Sequence, residues 1–240
     1  MSNSTEARLD PLDPALMVSL RDHVHRALRM AIVSGRYPHK TRLNERQLAL
    51  ELGVSTTPLK EAIRQLEAEG LVSTLPRRGV IVLYGRTWAE EMILARAALE
   101  SMIAHLAARR IDDPGRTGLE QTMAEMAEAC GKDDPDRLIA LNEQFHDQIH
   151  KASECVYLGK LIERQRFYDA STRRVIHSDP EEKARALAEH TAIGKAIVGR
   201  DIDGAERAMR DHVVRSGDHY IRLVFKNSDS PSPALHAVAE

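Results

Sequence analysis

A chain of 240 residues with 42% hydrophobic and 29% charged residues is long enough to bury a core in one large domain or in two ordinary ones. No stretch approaches the roughly 18 apolar residues of a transmembrane helix, and the polar, acidic N-terminus lacks the pattern of a secretory signal. Cys130 and Cys155 are too few for a disulfide framework or a four-cysteine zinc site. We therefore expect a cytoplasmic protein with reduced thiols and no membrane partner.

The net charge of -2 is unevenly distributed along the chain. Residues 18–86 contain 12 Lys and Arg against 6 Asp and Glu, whereas the rest of the chain contains 22 basic against 30 acidic residues. A basic N-terminal part joined to an acidic remainder indicates a negatively charged partner for the first part only. Nucleic acid is the expected partner, because phosphate contacts supply most of the affinity of such complexes. Chance clustering of charges on a solvated face is the alternative.

The N-terminal part is predicted to contain three short helices followed by a β-hairpin. Residues 1–17 show little apolar pattern and are expected to form a disordered arm. Apolar spacing, an N-cap at Asn44 and glycine stops predict the helices, which lie at 18–33, between Asn44 and Gly53, and at 59–69. Two β-prone runs, 71–75 and 80–83, predict a hairpin with a basic tip. The domain formed by these elements is expected to span 18–84.

The remainder of the chain is predicted to be helical. A linker at 85–88 leads into an all-helical domain expected at 89–226, and Thr87 with Glu90 fits a capping box for its first helix, which extends to Ala108. Further helices are predicted between Pro and Gly breakers at 116–130, 135–152, 156–178, 180–199 and 202–225. The Ser- and Pro-rich tail at 227–240 is expected to be disordered.

Two short helices with a tight turn at Gly53, followed by a hairpin, are typical of a winged helix-turn-helix, whose second helix enters the major groove of DNA. The predicted fold class is mainly α, with an N-terminal winged helix-turn-helix, a small β-hairpin wing and a C-terminal all-α helical bundle. Arg and Lys neutralise phosphate or read guanine, while Ser and Thr position the protein on the backbone. The predicted DNA-binding residues are Arg46, Ser55, Thr56, Thr57, Lys60, Arg64, and at the wing tip Arg77, Arg78 and Gly79. For each charge taken alone, a solvated surface residue is the alternative.

Histidines on three of the later predicted helices are candidates for a metal site. Asn142 and His146 are one turn apart on one helix face, His190 lies on a later helix and His212 on the last one. Three imidazoles and one oxygen ligand inside a bundle could hold a metal. A chain with 11 histidines also places several on helices by chance, so core or surface histidines without a metal are the alternative. His150, one turn after His146, is expected to be structural.

A set of segments in the N-terminal part resembles the GntR family of bacterial transcription regulators. The matching residues are Leu43–Ala49 (LNERQLA), Leu52–Ser55 (LGVS), Pro58, Glu61–Ala62 and Leu66–Val72 (LEAEGLV), continuing into Pro76, Arg78 and Gly79. The resemblance implies a ligand-responsive regulator, with repression as the family default, that binds a short palindromic operator in double-stranded DNA as a homodimer. Thr56 and Lys60 stand where the family usually has arginine, so DNA binding is implied but not the usual operator sequence.

A second set of residues resembles the FCD ligand-binding domain of the FadR subfamily, over roughly residues 90–222. The matching residues are Arg96 with Glu100, Phe145–His146, Ala152–Ser153, Glu189–His190 with Ile193, and Asp211–His212. The resemblance implies that His146, His190 and His212 hold a divalent metal such as zinc or nickel, which contacts a small organic acid effector. Asn142 stands where the family often has an aspartate, and a neutral amide should bind the ion less tightly.

By the same resemblance Arg96 pairs with the carboxylate of the effector. The alternative for Arg96 is a salt bridge with Glu100, four residues further along the helix.

Two other functions are compatible with parts of the sequence. Glu143 and His146 form the Glu-x-x-His unit of di-iron bundles, which would suit a metalloenzyme, but no second unit pairs with it and the HExxH and GxSxG motifs are absent. An architectural DNA-binding protein without a ligand would use the helical domain for dimerisation alone. We expect a regulator and not an enzyme.

Overall fold

The computed structural model describes residues 20–75, 79–132, 134–165 and 180–225. The predicted arm at 1–17, the predicted tail at 227–240 and the wing-tip residues Arg77 and Arg78 lie outside the described residues, as does the helix predicted at 156–178 beyond Gln165. The chain divides into two compact units, of which the first comprises Met1–Ile32 and His39–Leu83 and the second comprises Val33–Pro38 and Tyr84–Glu240.

The first unit contains three helices and a small antiparallel sheet in its described residues. Its elements are α1 (Leu20–Val33), β1 (Arg42–Leu43), α2 (Glu45–Leu52), α3 (Thr56–Ala68), β2 (Val72–Leu75) and β3 (Gly79–Val82). The strands are ordered β1-β3-β2, and β2 pairs with β3 from Val72 opposite Val82 to Leu75 opposite Gly79. The predicted helix pair and both hairpin strands are present, and β1, which the sequence does not predict, adds a third strand.

Local capping explains where the helices of the pair begin and end. The Asn44 side chain accepts hydrogen bonds from two backbone N–H groups of the first turn of α2, at 3.0 and 3.2 Å, which confirms the predicted N-cap. Gly53 follows α2 with a φ of 64°, the left-handed conformation that ends a helix. α3 begins at Thr56, before the predicted start at Leu59, because Pro58 is tolerated within a first helical turn.

The second unit contains six helices and no strand in its described residues. They are α4 (Arg86–Arg110), α5 (Asp113–Gly131), α6 (Pro135–Ser153), α7 (Val156–Gln165), α8 (Pro180–Val198) and α9 (Ile202–Val224). α4 packs against α9 and α6, α5 packs against α6 and α8, and α8 packs against α9. The predicted fold class, mainly α with an all-helical C-terminal part, is confirmed. Among the described residues, none of these helices is long and apolar enough to span a membrane.

The start of α4 differs from the sequence prediction. Gly85 is the N-cap residue, and the first turn already contains Arg86, Thr87 and Trp88, where the sequence predicts a linker at 85–88 and a capping role for Thr87. Arg86 donates a hydrogen bond to Glu90 at 2.6 Å, one helical turn away. This ion pair stabilises a helix start that the capping pattern does not predict, since glycine has no side chain with which to cap.

Candidate functional site

α3 has one buried apolar face and one exposed polar face. Its buried side chains are Leu59, Ala62, Ile63 and Leu66. The predicted DNA-binding residues on α2 and α3 and in the turn between them are all exposed: Arg46, Ser55, Thr56, Thr57, Lys60 and Arg64. Gly79 is also exposed, with a φ of 81° that glycine adopts without strain. These residues are therefore accessible on the first unit, whereas Arg77 and Arg78 lie outside the described residues.

A cleft of about 420 Å³ lies beside the start of α2 and contains an arginine that the sequence analysis missed. Its lining residues are Arg42, Leu43, Asn44, Glu45, Arg46 and Gly79. Arg42 lies on β1 opposite Ile81 and is exposed. Because β1 forms only by pairing with β3, nothing in the local sequence pattern places Arg42 beside Arg46. Two arginines among the residues that line one cleft make it a candidate contact for a DNA phosphate.

A buried ion cluster fixes α1 against the C-terminal end of α3. Glu69, directly after α3, contacts His25 Nε2 at 2.8 Å and Arg29 Nε at 3.3 Å. The His25 and Arg29 side chains are 2% and 4% exposed, so these contacts are largely shielded from water. This cluster orients the helix that carries the exposed polar face. Sequence reasoning missed it because the contact spans 44 residues along the chain.

The three predicted histidines come together in the core of the second unit. His146 on α6, His190 on α8 and His212 on α9 are all buried, and one ring nitrogen of each lies within 4.8 Å of the others. The ring centroids of His190 and His212 are 4.5 Å apart, and that of His146 lies 5.5 Å from His190 and 5.9 Å from His212. Phe145 packs edge-on against His190 at 5.1 Å and limits the space around the rings. We call these three residues the histidine trio.

The histidine trio has a donor set that fits a divalent metal ion. Nitrogen ligands at about 2.0–2.1 Å from a tetrahedral zinc ion lie about 3.4 Å apart, so the ring nitrogens of the trio, which lie within 4.8 Å of one another, would close by up to about 1.4 Å to bind it. Asn142 is 6% exposed and lies one turn before His146 on α6, which places it on the same buried helix face. Neutral imidazoles suit zinc or nickel better than magnesium or calcium.

A carboxylate and an arginine support His212. Glu189 Oε2 lies 2.7 Å from His212 Nδ1, and Arg215 donates to both oxygens of the same carboxylate. Burial opposes the charge of Glu189, but the hydrogen bonds from His212 and Arg215 outweigh it and hold the pKa of this carboxyl below its ordinary value. Arg215 also contacts Glu182, a buried residue in the first turn of α8. Glu189 stands out in the sequence only as part of the family match, and the contacts of Arg215 are not predicted from it.

Arg96 lies in a second buried ion cluster. Its Nη2 donates to Glu100 Oε1 at 2.7 Å, and the other oxygen of Glu100 lies 2.7 Å from His150 Nε2. Glu100 is fully buried, with 0% exposure. The salt bridge named as the alternative for Arg96 is therefore present, and His150 contacts the same carboxylate. Glu143 is exposed while His146 is buried, so the Glu-x-x-His pair does not converge as a di-iron ligand set would.

A helix-turn-helix unit with an exposed polar helix face, joined in one chain to an all-helical unit with a buried histidine trio, defines a two-domain DNA-binding regulator. Residues 20–82 match the family model of bacterial regulatory proteins of the gntR family, and residues 91–215 match the FCD domain. The chain therefore belongs to the GntR family of bacterial regulators, and its helical unit carries an FCD domain, as in the FadR subfamily.

The relatives of this chain are transcription regulators. It is 26% identical over 227 residues to the HTH-type transcriptional repressor RspR of Escherichia coli (strain K12), covering 94% of this chain and 97% of RspR. It is 29% identical over 210 residues to the Nta operon transcriptional regulator of Aminobacter aminovorans, covering 80% and 94%. The solved structure of E. coli McbR/YncC has a similar fold, with a TM-score of 0.59 and 23% identity over 88% of this chain and 99% of that one. The protein is accordingly a transcription regulator and not an enzyme.

Proposed function

We propose that this protein is a cytoplasmic, ligand-responsive repressor that binds a short palindromic operator as a homodimer and changes its DNA affinity when a small carboxylate effector binds the helical domain. The observation that carries the proposal is the buried histidine trio in a chain whose other unit presents an exposed polar helix for DNA. Repression follows the name of the relative RspR. A two-fold dimer would impose two-fold symmetry on its operator, hence the palindrome.

For DNA, we propose that α3 enters the major groove with Ser55, Thr56 and Thr57 at its leading end. Lys60 and Arg64 follow on the same exposed side, one turn apart, and would contact phosphate or guanine. Arg46 and Arg42 line the cleft beside α2 and would hold one backbone phosphate. Arg77, Arg78 and Gly79 are proposed as the wing-tip contacts.

For the effector, we propose a divalent ion held by the nitrogens of His146, His190 and His212, with Asn142 as an oxygen ligand. The bound ion would supply positive charge for a ligand carboxylate. All four protein donors are neutral, so the charge of the ion is not compensated by its ligands and favours an anion in the remaining position. Arg96 is the proposed second partner of the ligand carboxylate. The ligand would compete with Glu100 for the Arg96 guanidinium.

The metal component is tested by elemental analysis of untagged protein purified without chelator. Wild type is expected to hold about one zinc or nickel ion per chain, and His146→Ala is expected to lose it. His105→Ala is the matched control, because His105 is a helical-domain histidine that contacts Glu206 and lies outside the trio. Metal loss in both variants, or no metal in wild type, would remove the ion from the proposal.

The regulatory component is tested with a duplex selected from random DNA by the protein. Adding small carboxylic acids one at a time should change the affinity for this duplex, typically by about 5- to 150-fold for an allosteric effector. Because such coupling is reciprocal, the duplex must change the affinity for the acid by the same factor. An acid that binds equally well with and without the duplex is not the effector, and failure of every acid to bind would overturn the proposed ligand class.

A further inference from the structure

In four clusters of the described residues, a glutamate carboxylate lies 3.3 Å or less from both a histidine ring nitrogen and an arginine nitrogen, and in a fifth Glu182 contacts Arg215 and lies 3.8 Å from His219. The clusters are His25–Glu69–Arg29, His105–Glu206–Arg210, His150–Glu100–Arg96 and His212–Glu189–Arg215. Only the last of these four contains a member of the histidine trio.

The contact with Glu189 determines which ring nitrogen of His212 carries a proton. An ionised carboxylate can only accept hydrogen bonds, so the nitrogen 2.7 Å from Glu189 Oε2, which is Nδ1, must be the donor. In neutral imidazole the other nitrogen, Nε2, then has the lone pair that a metal ligand needs.

Arg215 on α9 holds the Glu189 carboxylate of α8 in place and so ties the two helices together. It donates to both oxygens of Glu189 and also contacts Glu182, two turns earlier on α8. Arg215 lies three residues after His212 on α9, whereas Glu189 directly precedes His190 on α8. The ion pair therefore sets the position of α9 relative to α8 at the point where each helix contributes one histidine to the trio.

We infer that Glu189, held by Arg215, is a positioning residue that presents His212 Nε2 as a preformed metal ligand. The inference rests on the proposed metal centre. Carboxylates that accept the second N–H of a metal-bound histidine fix its orientation and make it a stronger donor. In this chain the carboxylate of Glu189 also supplies negative charge near the proposed ion, because the trio and Asn142 are all neutral.

Glu189→Gln tests the inference, with Glu206→Gln as the matched control. Glu206 contacts His105 and Arg210 as Glu189 contacts His212 and Arg215, and the two glutamate side chains are 26% and 23% exposed. Metal-free protein labelled with ¹⁵N reports the protonated ring nitrogen of His212 by NMR, and zinc titration gives the dissociation constant. Wild type and Glu206→Gln should show the Nδ1-protonated ring and equal zinc affinity. Glu189→Gln should lose this single state and bind zinc about 10- to 100-fold more weakly.

The outcomes distinguish failure of the positioning role of Glu189 from failure of the proposed metal centre. If Glu189→Gln binds zinc as tightly as Glu206→Gln, the positioning role is wrong while the metal centre stands. If wild type does not bind zinc, both are wrong. If Glu189→Gln does not fold, Arg215→Lys decides: it keeps the positive charge but loses the two-pronged contact. A weakened zinc affinity in Arg215→Lys supports the inference, and an unchanged one overturns it.

Discussion

Replacing each of three helical glycines by alanine should change the free energy of unfolding according to how closely the helical domain packs around that position. At Gly217 on α9, an added Cβ would lie 2.5 Å from the side chain of Ile93, which is 0% exposed on α4. At Gly194 on α8 the added atom would meet the flexible end of Met123, and at Gly159 on α7 it would meet nothing within 4 Å. The three substitutions are chemically identical, so differences between them report the surroundings alone.

The expected free energies follow from two opposing effects. Alanine in a helix is more favourable than glycine by about 1 kcal/mol. Overpacking a rigid core costs about 1–3 kcal/mol. Gly159→Ala should therefore stabilise the protein by up to about 1 kcal/mol, Gly194→Ala should be nearly neutral because Met123 can move, and Gly217→Ala should destabilise it by about 1 kcal/mol, or about 2–4 °C in Tm.

The single tryptophan of the chain makes the assay specific to the helical domain. Trp88 lies in the first turn of α4, and α4 packs against α9, so its fluorescence follows the unfolding of this unit in urea. If Gly217→Ala proves as stable as Gly159→Ala, then α9 does not approach α4 as closely as the structure places it.

Three further predictions concern function and pH. Arg64→Ala and Arg78→Ala should each weaken operator binding and lower the salt slope by about 1, which anisotropy titrations at several salt concentrations measure; an unchanged slope would exclude a phosphate contact. Asn142→Asp should tighten zinc binding in the absence of carboxylic acids, as measured by calorimetry, and equal affinity would place Asn142 outside the ligand set. The pKa of Glu189 is lowered, so its stabilising contribution is complete above the ordinary value of 4.5 and is lost as the pH falls below it. Glu189→Gln should therefore be less stable at neutral pH but lose less stability on acidification, and parallel pH profiles would contradict this.

The elements that the sequence predicts well are those whose signals are local. Asn44 caps α2, and Gly53 ends it because glycine accepts the left-handed conformation without strain. β1 is missed since two residues carry no periodicity, and Arg42 and Leu43 become a strand only by pairing with Ile81 and Val80. The cleft beside α2 depends on that pairing, so a local pattern does not predict it either.

In the candidate site too, the contacts with local sequence signals are predicted and the long-range contacts are not. The pairing of Arg96 with Glu100 follows from a spacing of one helical turn, whereas the contact of Glu100 with His150 spans 50 residues. The histidine trio is predicted by family resemblance, because spacing alone does not say which of 11 histidines meet. Neither helical spacing nor family resemblance predicts the role of Arg215, because an arginine on a helix is common. Its role follows from the packing of α8, which places the carboxylates of Glu182 and Glu189 beside it.

The neutral donor set of the trio has a consequence for how the regulator would respond. A divalent ion bound by His146, His190, His212 and Asn142 would not be neutralised by these ligands themselves, in a buried site where charges interact several times more strongly than in water. Glu189 compensates part of that charge, but only through the ring of His212. An anionic ligand on the ion is therefore the most favourable way to complete the shell, and metal and acid should each raise the affinity of the other by the same factor. Such a regulator would sense the acid only when the metal is present, and removing the ion with a chelator should abolish the effect of the acid on operator binding while leaving operator binding itself in place.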